Sequence, residues 1–455
     1  MFKFVRYLFT APLYSFPLLA QQAPVASPPA AAHPVAPQPA AIHPMAQSAD
    51  VQYDEKSDVE NKDMDALRRW LRDKRLVSVK EIGGDLSLSG EVRTEFQAAN
   101  QLVDGVQQYN NPDLAPNFPK VRPQYAWDVE VNIMIDYRTD RTWAAIKLEF
   151  DNDMGLRSGT MNNIKLEKAY LGGRIIAGDT FTTDAEIGRR FLFNVFESKI
   201  EFSALYDGML VRMSKAFANL GDYYFNAGAF LVNDITNHYG FISEMGALRI
   251  ANIGVNVKYS LIDWYKPGGE NEQGQTAEET RLADIRFKYL VSQLLVYYQY
   301  YPEWIGKRMI KVYGAALTNH LAHGVEQTGN ERQNWGWYAG VSIGVAKKAG
   351  DWAIDANYQW VQAQTVPDYD VLGIGRGNVA KVGLYTNNID GSGGETTQAT
   401  AVGNCNYKGF ELEGLYALTN NLVVQQTFRY STTLNKNIGP NIRYKQYEIE
   451  FIYAF

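Results

Sequence analysis

The side chains with which this chain could do covalent chemistry are few. It has five histidines, a single cysteine, and serines and carboxylates spread along 455 residues. Hydrolysis needs a histidine held beside a hydroxyl or a carboxylate. His238 has Asp234 close by in sequence, and His320 and His323 share one polar stretch, but no regular element fixes their spacing as a metal pair. His33 and His43 stand among prolines as spacers. Neither His-Glu-x-x-His nor a glycine-rich phosphate loop occurs. The sequence therefore predicts no catalytic residue, no cofactor and no metal, and a hydrolase using the loop histidines stays only as an alternative.

The charged residues have a clearer pattern. Over 125–138, Tyr125, Trp127, Val129, Val131, Ile133, Ile135 and Tyr137 alternate with Ala126, Asp128, Glu130, Asn132, Met134, Asp136 and Arg138. A period of two puts these sets on opposite faces of a strand. One face is apolar with aromatics at both ends, and the other is polar and charged. That combination fits an apolar band meeting lipid between interfacial aromatic girdles, with the charged face turned to water. The same alternation sets Glu91 and Arg93 against Leu88, Val92 and Phe96, and Lys147 and Glu149 against Ile146, Leu148 and Phe150. It sets Glu411 and Glu413 against Phe410 and Leu412, and Arg429 against Phe428 and Tyr430. The predicted water-facing set is Glu91, Arg93, Asp128, Glu130, Asp136, Arg138, Lys147, Glu149, Glu411, Glu413 and Arg429. Acidic side chains outnumber basic ones on that face, which predicts a mild preference for cations. Trp127, Trp337, Trp352 and Trp360 fall on the lipid side, and Tyr224, Phe230 and Tyr338 on the inner side.

Composition agrees with an all-β transmembrane antiparallel barrel. Aromatics reach 13%, with 29 Tyr and 38 Gly, which excludes wholesale disorder. A net charge of −6 speaks against a general nucleic-acid binder. Short turns at 139–141, 219–222, 347–351 and 419–421 alternate with longer loops at 98–123, 152–162, 193–205, 234–239, 264–280, 320–333, 364–406 and 433–442. Holding that alternation makes 281–301 one strand and the total 16, with 14 or 18 open if 281–301 divides differently.

The first residues read as an export signal. Lys3 and Arg6 precede an apolar run broken by Pro12 and Pro17, and Leu18-Leu19-Ala20 ends it. The expected order is a signal peptide at 1–20, an Ala/Pro-rich linker at 21–54, a short basic amphipathic helix within 55–80 on the periplasmic side, and the barrel over 81–455. The helix is either a solvated surface helix or a docking element for a copy of itself or an anionic wall polymer. Export permits disulfides, but Cys405 has no partner in the chain; its thiol is either unpaired or crosslinked to another envelope protein.

Four stretches resemble a known family. These are Lys311-Val-Tyr-Gly, the run Gly340-Val-Ser-Ile-Gly-Val-Ala-Lys-Lys-Ala-Gly-Asp-Trp352, Asp355-Ala-Asn-Tyr-Gln-Trp, and Lys408-Gly-Phe-Glu-Leu-Glu-Gly-Leu-Tyr-Ala-Leu-Thr-Asn-Asn421-Leu. They are similar to a bacterial family of outer-membrane porins, chiefly over the C-terminal third. Asp85-Leu-Ser-Leu-Ser-Gly-Glu-Val-Arg-Thr-Glu-Phe96 is similar to the version in chlamydia-type envelopes. The resemblance implies an outer-membrane diffusion pore for small hydrophilic solutes or ions, in contact with lipid, and a homotrimer as one possible state. It carries no defined solute-binding residues. In general porins the third external loop folds inward to form the constriction. Here that loop is 193–205, with Glu197, Lys199 and Glu201, preceded by Arg189 and Arg190. The final strand sets Tyr447, Ile449, Phe451, Tyr453 and Phe455 on one face, which resembles the signal read by the barrel assembly machinery. The rival class is an adhesin or receptor barrel, with the 364–406 loop as its binding surface.

Overall fold

A computed structural model describes residues 77–81, 84–107, 124–154, 164–233, 238–251, 253–265, 288–324, 328–367, 370–372, 374, 405–438 and 441–455. The export signal, the linker and the helix expected over 57–76 lie outside these residues, as do Asp234 and most of the 364–406 loop.

The strands are β1 Val77–Glu81, β2 Gly84–Val103, β3 Val106–Gln107, β4 Gln124–Arg138, β5 Thr142–Asp153 and β6 Ile164–Ala177. They continue as β7 Phe181–Phe191, β8 Leu205–Phe217, β9 Gly221–Asn233, β10 His238–Ile250, β11 Val255–Tyr265 and β12 Tyr289–Tyr300. The last six are β13 Ile310–Asn319, β14 Trp335–Gly344, β15 Trp352–Val361, β16 Tyr407–Ala417, β17 Leu422–Thr433 and β18 Ile442–Ala454. Every pairing is antiparallel, and the 18 strands form one sheet. Setting aside β1 and β3, which extend the edges of β2, leaves a closed barrel of 16 strands. Of the stretch 281–301, residues 281–287 lie outside the described residues, and the described part, 288–301, holds a single strand, β12.

Closure is made by the last strand. β18 pairs with β2 in the register Glu450↔Glu95 and Tyr453↔Val92, while the other edge of β2 pairs with β4. Phe455 and Gly90 exchange two backbone hydrogen bonds of 2.9 Å. Beyond Gly90 the same edge of β2 is taken over by β1, with Val79 opposite Leu86. Strand pairing thus begins at Val77 and not at residue 81, so 77–80 are strand where the sequence suggested the end of a helical segment. Closing the sheet satisfies every edge, which is the condition for strands to lie in lipid.

The short connections at 139–141, 178–180, 218–220, 345–351 and 418–421 all fall at one end of the barrel, the short-turn end; the opposite strand ends, such as Val103, Tyr265 and Val361, mark the long-loop end. Large apolar side chains cover the outer face: Leu88, Trp127, Ile187, Met209, Phe241 and Val296 are all exposed. An exposed apolar face running around a closed sheet is what a membrane requires and water penalises.

The inner face divides into two arcs. From β16 through β18, β2 and on to β7 it is charged. From β8 to β15 large apolar groups, among them Tyr206, Leu210, Phe230, Ile262, Trp264 and Tyr297, are turned inward and buried beside polar ones such as Glu244, Lys258 and Lys311. The inner face is therefore not polar throughout, contrary to what the alternation predicted; in the second arc it is covered by the segment 192–204.

Candidate functional site

The chain leaves β7 at Phe191 through a single 3-10 turn, Leu192–Asn194, and re-enters the sheet at Leu205. Between these points it lies inside the barrel. Leu192, Val195, Phe196, Ile200 and Phe202 are buried and join one cluster with the inward side chains of β8 to β15. The Phe230 ring meets Trp264 edge-on at 5.6 Å and Tyr206 at 5.4 Å. Burying each such side chain contributes about 1.5–3 kcal/mol, so apolar packing drives the segment inward.

Its charged residues then fix it. Glu197 lies between two lysines on the wall, with Lys258 Nζ 2.9 Å from Oε2 and Lys311 Nζ 2.8 Å from Oε1. Its backbone carbonyl accepts a 2.8 Å bond from Gln293 Nε2. Burial pushes the Glu197 carboxyl up, but the two ammonium groups outweigh it and hold it below the usual range. Lys199 reaches β15, where its Nζ is 2.9 Å from Asp355 Oδ1. Burial would lower Lys199, but Asp355 with Tyr313, Glu411 and Glu413 holds it well above its ordinary value. Asp355 also accepts bonds from Tyr313 Oη at 2.8 Å and Ser342 Oγ at 2.5 Å.

Glu201 differs. It is 0% exposed, and neither carboxylate oxygen has a hydrogen-bond donor among the described residues. Burial, and then the charges of Asp370 and Glu244, push its carboxyl far up, so it is held protonated. Asp370 belongs to a second inserted segment, of which 362–367, 370–372 and 374 are described. Its carboxylate accepts N–H bonds from Ala204 at 2.9 Å and Phe202 at 3.1 Å, and its backbone oxygen accepts that of Ser203 at 3.1 Å. Phe202, with φ of 80°, is thereby held in a strained left-handed conformation. Leu372 N–H donates to Ile200 O at 2.7 Å. The two inserted segments are thus joined backbone to backbone inside the barrel.

Of the residues expected at the constriction, Glu197, Lys199, Glu201 and Arg190 share the interior. Arg190 is buried on the wall, 2.6 Å from Glu186 and stacked over Tyr170 at 4.7 Å. Arg189 is not with them. Alternation along β7 turns it outward, where it forms a two-pronged pair with Asp207 at 2.7 Å. The loop charges point at the wall and act as anchors. Tyr224, Phe230 and Tyr338 do face inward but are buried, so they pack the core and line no wet track.

Facing this body is the charged arc, where the eleven residues expected to face water all share the inward face. Arg93 is 2.5 Å from Glu91, 3.8 Å from Glu130 and 3.9 Å from Glu450. Arg429 bridges Glu411 at 2.8 Å and Glu448 at 2.9 Å. Lys165 lies 2.9 Å from Glu149 and 3.0 Å from Asp151. A register shift between Lys147 and Leu148 leaves Glu167 as an extra residue on β6, and its carboxylate meets Lys147. The result is a belt of alternating sign. Glu448, Glu450 and Lys165 in this belt were missed from sequence; the inward position of Glu448 and Glu450 follows from the period of two already read in the final strand, whereas no alternation was read over β6.

Glu95, Glu448 and Glu450 bring carboxylate oxygens within 4.8 Å of one another, a donor set suited to a hard cation. Arg429 already engages Glu448, so the group reads as part of the belt. His320 Nε2 is 2.8 Å from Ser292 Oγ on the outer face, but Ser292 is only 7% exposed and no described carboxylate bonds the ring. The backbone N–H of His323 donates to Gln364 Oε1. The run Gly340-Val-Ser-Ile-Gly344 matches a nucleophile-elbow spacing, but it lies within β14 with no strand-to-helix turn, and Ser342 donates to Asp355. Cys405 is 4% exposed and its Sγ lies 3.1 Å from Val366 O, a placement that opposes the crosslink considered from sequence.

No family model and no curated protein matches the chain. Solved structures do. A high-pH structure of Pseudomonas putida OprB is 11% identical over 86% of this chain and 97% of its own, with a TM-score of 0.46. Salmonella typhi OmpF in complex with daunomycin is 11% identical over 83% of this chain and 100% of its own, at 0.44. A triple mutant of Rhodopseudomonas blastica porin is 8% identical over 81% and 100%, at 0.38. The chain is similar in fold to bacterial outer-membrane porins.

Proposed function

We propose that this chain is an outer-membrane porin: a passive path for small hydrophilic solutes or ions with a mild preference for cations. One observation carries the reading. A closed antiparallel barrel exposes an apolar face around most of its outside and keeps a belt of charged side chains along one inner arc. In lipid, such an arc has a use only if water reaches it. The path runs along that arc, from Glu411 and Arg429 through Glu91 and Arg93 to Lys147 and Glu149. The inserted segment 192–204 narrows it from the opposite side. Acidic side chains exceed basic ones in the belt, which lowers the barrier for cations. Tyr447, Ile449, Phe451, Tyr453 and Phe455 form the outward stripe of the strand that closes the barrel, where we place the assembly signal. Export by the first 20 residues and assembly into a trimer belong to the same proposal.

Planar-bilayer recording tests it. Stepwise conductance with a cation-directed reversal potential in a salt gradient is expected; silent insertion or clear anion selectivity contradicts it. One observation favours a second reading, a closed receptor or adhesin barrel: the apolar body inside β8 to β15. Liposome swelling separates the two, because neutral sugars enter through a pore and not through a sealed barrel.

A further inference from the structure

The outer face is apolar for most of its circumference, but at the long-loop end of β16 to β18 it becomes basic. Lys408, Thr432, Arg443 and Leu102 are successive outward positions along one rung of the sheet. Lys445 lies one outward step further into the barrel wall, opposite Asn100 and Tyr430. Lys408, Arg443 and Lys445 are exposed, and no carboxylate among the described residues forms an ion pair with any of them. Neighbouring strands lie about 4.8 Å apart and alternate residues about 7 Å apart along a strand. The three cations therefore occupy a patch about 10 Å across. The nearest described acid at this rim, Asp104, already accepts the backbone N–H of Asn441 at 2.8 Å.

A second feature fixes the level of this patch. Trp360 stands beside Lys408 on the same rung. On the next outward row, Tyr358, Phe410, Tyr430 and Lys445 follow one another, with Lys445 Nζ 5.9 Å from the Tyr430 ring centre. Phe410 packs on Tyr430 at 5.7 Å and on Phe428 at 5.8 Å. An aromatic belt of this kind sits where acyl chains give way to headgroups. Cations within and at the outer margin of this belt, turned outward, meet headgroups and not the pore.

We propose that Lys408, Arg443 and Lys445 form a binding site for the phosphate of an anionic lipid in the leaflet at the long-loop end. Phosphate suits the set: a guanidinium can grip two phosphate oxygens and two ammoniums add point charges beside it. The lipid chains would lie down the apolar strip formed by Phe410, Leu412 and Phe428. This goes beyond solute diffusion but rests on the outer-membrane reading.

The test is native mass spectrometry of the full-length protein in neutral detergent, titrated with phosphatidic acid or phosphatidylcholine. The comparison is with a variant carrying Lys408→Gln, Arg443→Gln and Lys445→Gln. Each cation near an anionic surface contributes enough that losing three lowers retention of phosphatidic acid about a hundredfold. Phosphatidylcholine retention is expected to be unchanged, and Lys307→Gln at the short-turn end is expected to behave as the unaltered protein. Equal retention of phosphatidic acid by both proteins overturns the site. Displacement by inorganic phosphate at matched concentration also overturns it, because the ligand would then be a free anion. Bilayer conductance of the triple variant is read separately. If neither protein inserts, the membrane reading fails; if both insert and neither selects phosphatidic acid, only the lipid site fails.

Discussion

Glu197 and Lys311 are separated by more than a hundred residues, yet their side chains meet at 2.8 Å inside the barrel. With Lys258 on the other carboxylate oxygen, Glu197 ties the inserted segment to β11 and β13. Removing one member of a buried charge set leaves the others unpaired, at a cost of about 3–5 kcal/mol. Glu197→Ala is therefore expected to release the segment. Single-channel recording should register larger and noisier conductance, and protease should cut near 195–204 faster. An unchanged trace would mean that apolar packing alone holds the segment.

The junction between Asp370 and the 202–204 backbone should respond to pH. Burial raises the Asp370 carboxyl to about 7, although the N–H bonds from Ala204 and Phe202 pull the other way. Glu201, beside it, is raised further by burial and by Asp370 and Glu244. Both groups hold protons more tightly docked than undocked. Docking is then strongest below the ordinary carboxylate range near 4 and weakens as pH rises through about 7. The protection factors of the 200–204 amides, observed rates set against the intrinsic base-catalysed rate at each pH, are expected to fall more than about tenfold between pH 5 and pH 8, and Glu201→Gln to flatten the upper part of that fall. Protection that stays constant or rises with pH would reverse the assignment.

Selectivity offers an independent check. Glu448 and Glu450 face the interior beside Arg429 and Arg93. Glu448→Gln with Glu450→Gln leaves those arginines with fewer counter-charges and makes the arc more positive. The cation-to-anion permeability ratio from reversal potentials should fall about twofold or more. A ratio that stays put would place the ion path elsewhere.

Much of this was legible in the sequence because lipid imposes a strict period of two. Tyr125 to Arg138 displays it without interruption, and the strand count follows from alternating long and short connections. The apolar arc was not legible, for a physical reason. Along 289–297, in Tyr-Leu-Val-Ser-Gln-Leu-Leu-Val-Tyr, both faces carry large apolar groups, so alternation no longer tells inside from outside. The signal that remained was in the connection itself. Phe193, Val195, Phe196, Ile200 and Phe202 make 193–202 far too apolar for a solvated loop. The charges at 197, 199 and 201 suggested a filter by likeness to the third loop of general porins, and the wall partners of Glu197 and Lys199, namely Lys258, Lys311 and Asp355, are too distant in sequence to have been read. Arg189 and Arg190 were grouped as neighbours at the strand end, and alternation along β7 puts them on opposite faces.

Two glycines on β10 make the apolar arc possible. A Cβ on Gly240 would lie 2.1 Å from the Phe230 ring, and one on Gly246 would lie 2.1 Å from the Tyr224 ring. Each ring lies flat across the bare backbone of the neighbouring strand, and Tyr224 Oη then reaches Glu244 at 2.8 Å. Gly246→Ala must push the Tyr224 ring away and break that bond inside a packed body. Overpacking of this kind costs about 1–3 kcal/mol, to which loss of the bond to a buried carboxylate adds about 1–3 kcal/mol. The heat needed to unfold the barrel in detergent is expected to fall for Gly246→Ala and for Gly240→Ala. Gly414→Ala, on the outward face of β16 with open space around its Cβ position, should leave it unchanged. Equal behaviour of all three would mean that the rings do not press on β10, and that the inner arc is less tightly filled than the buried side chains of β8 to β15 indicate.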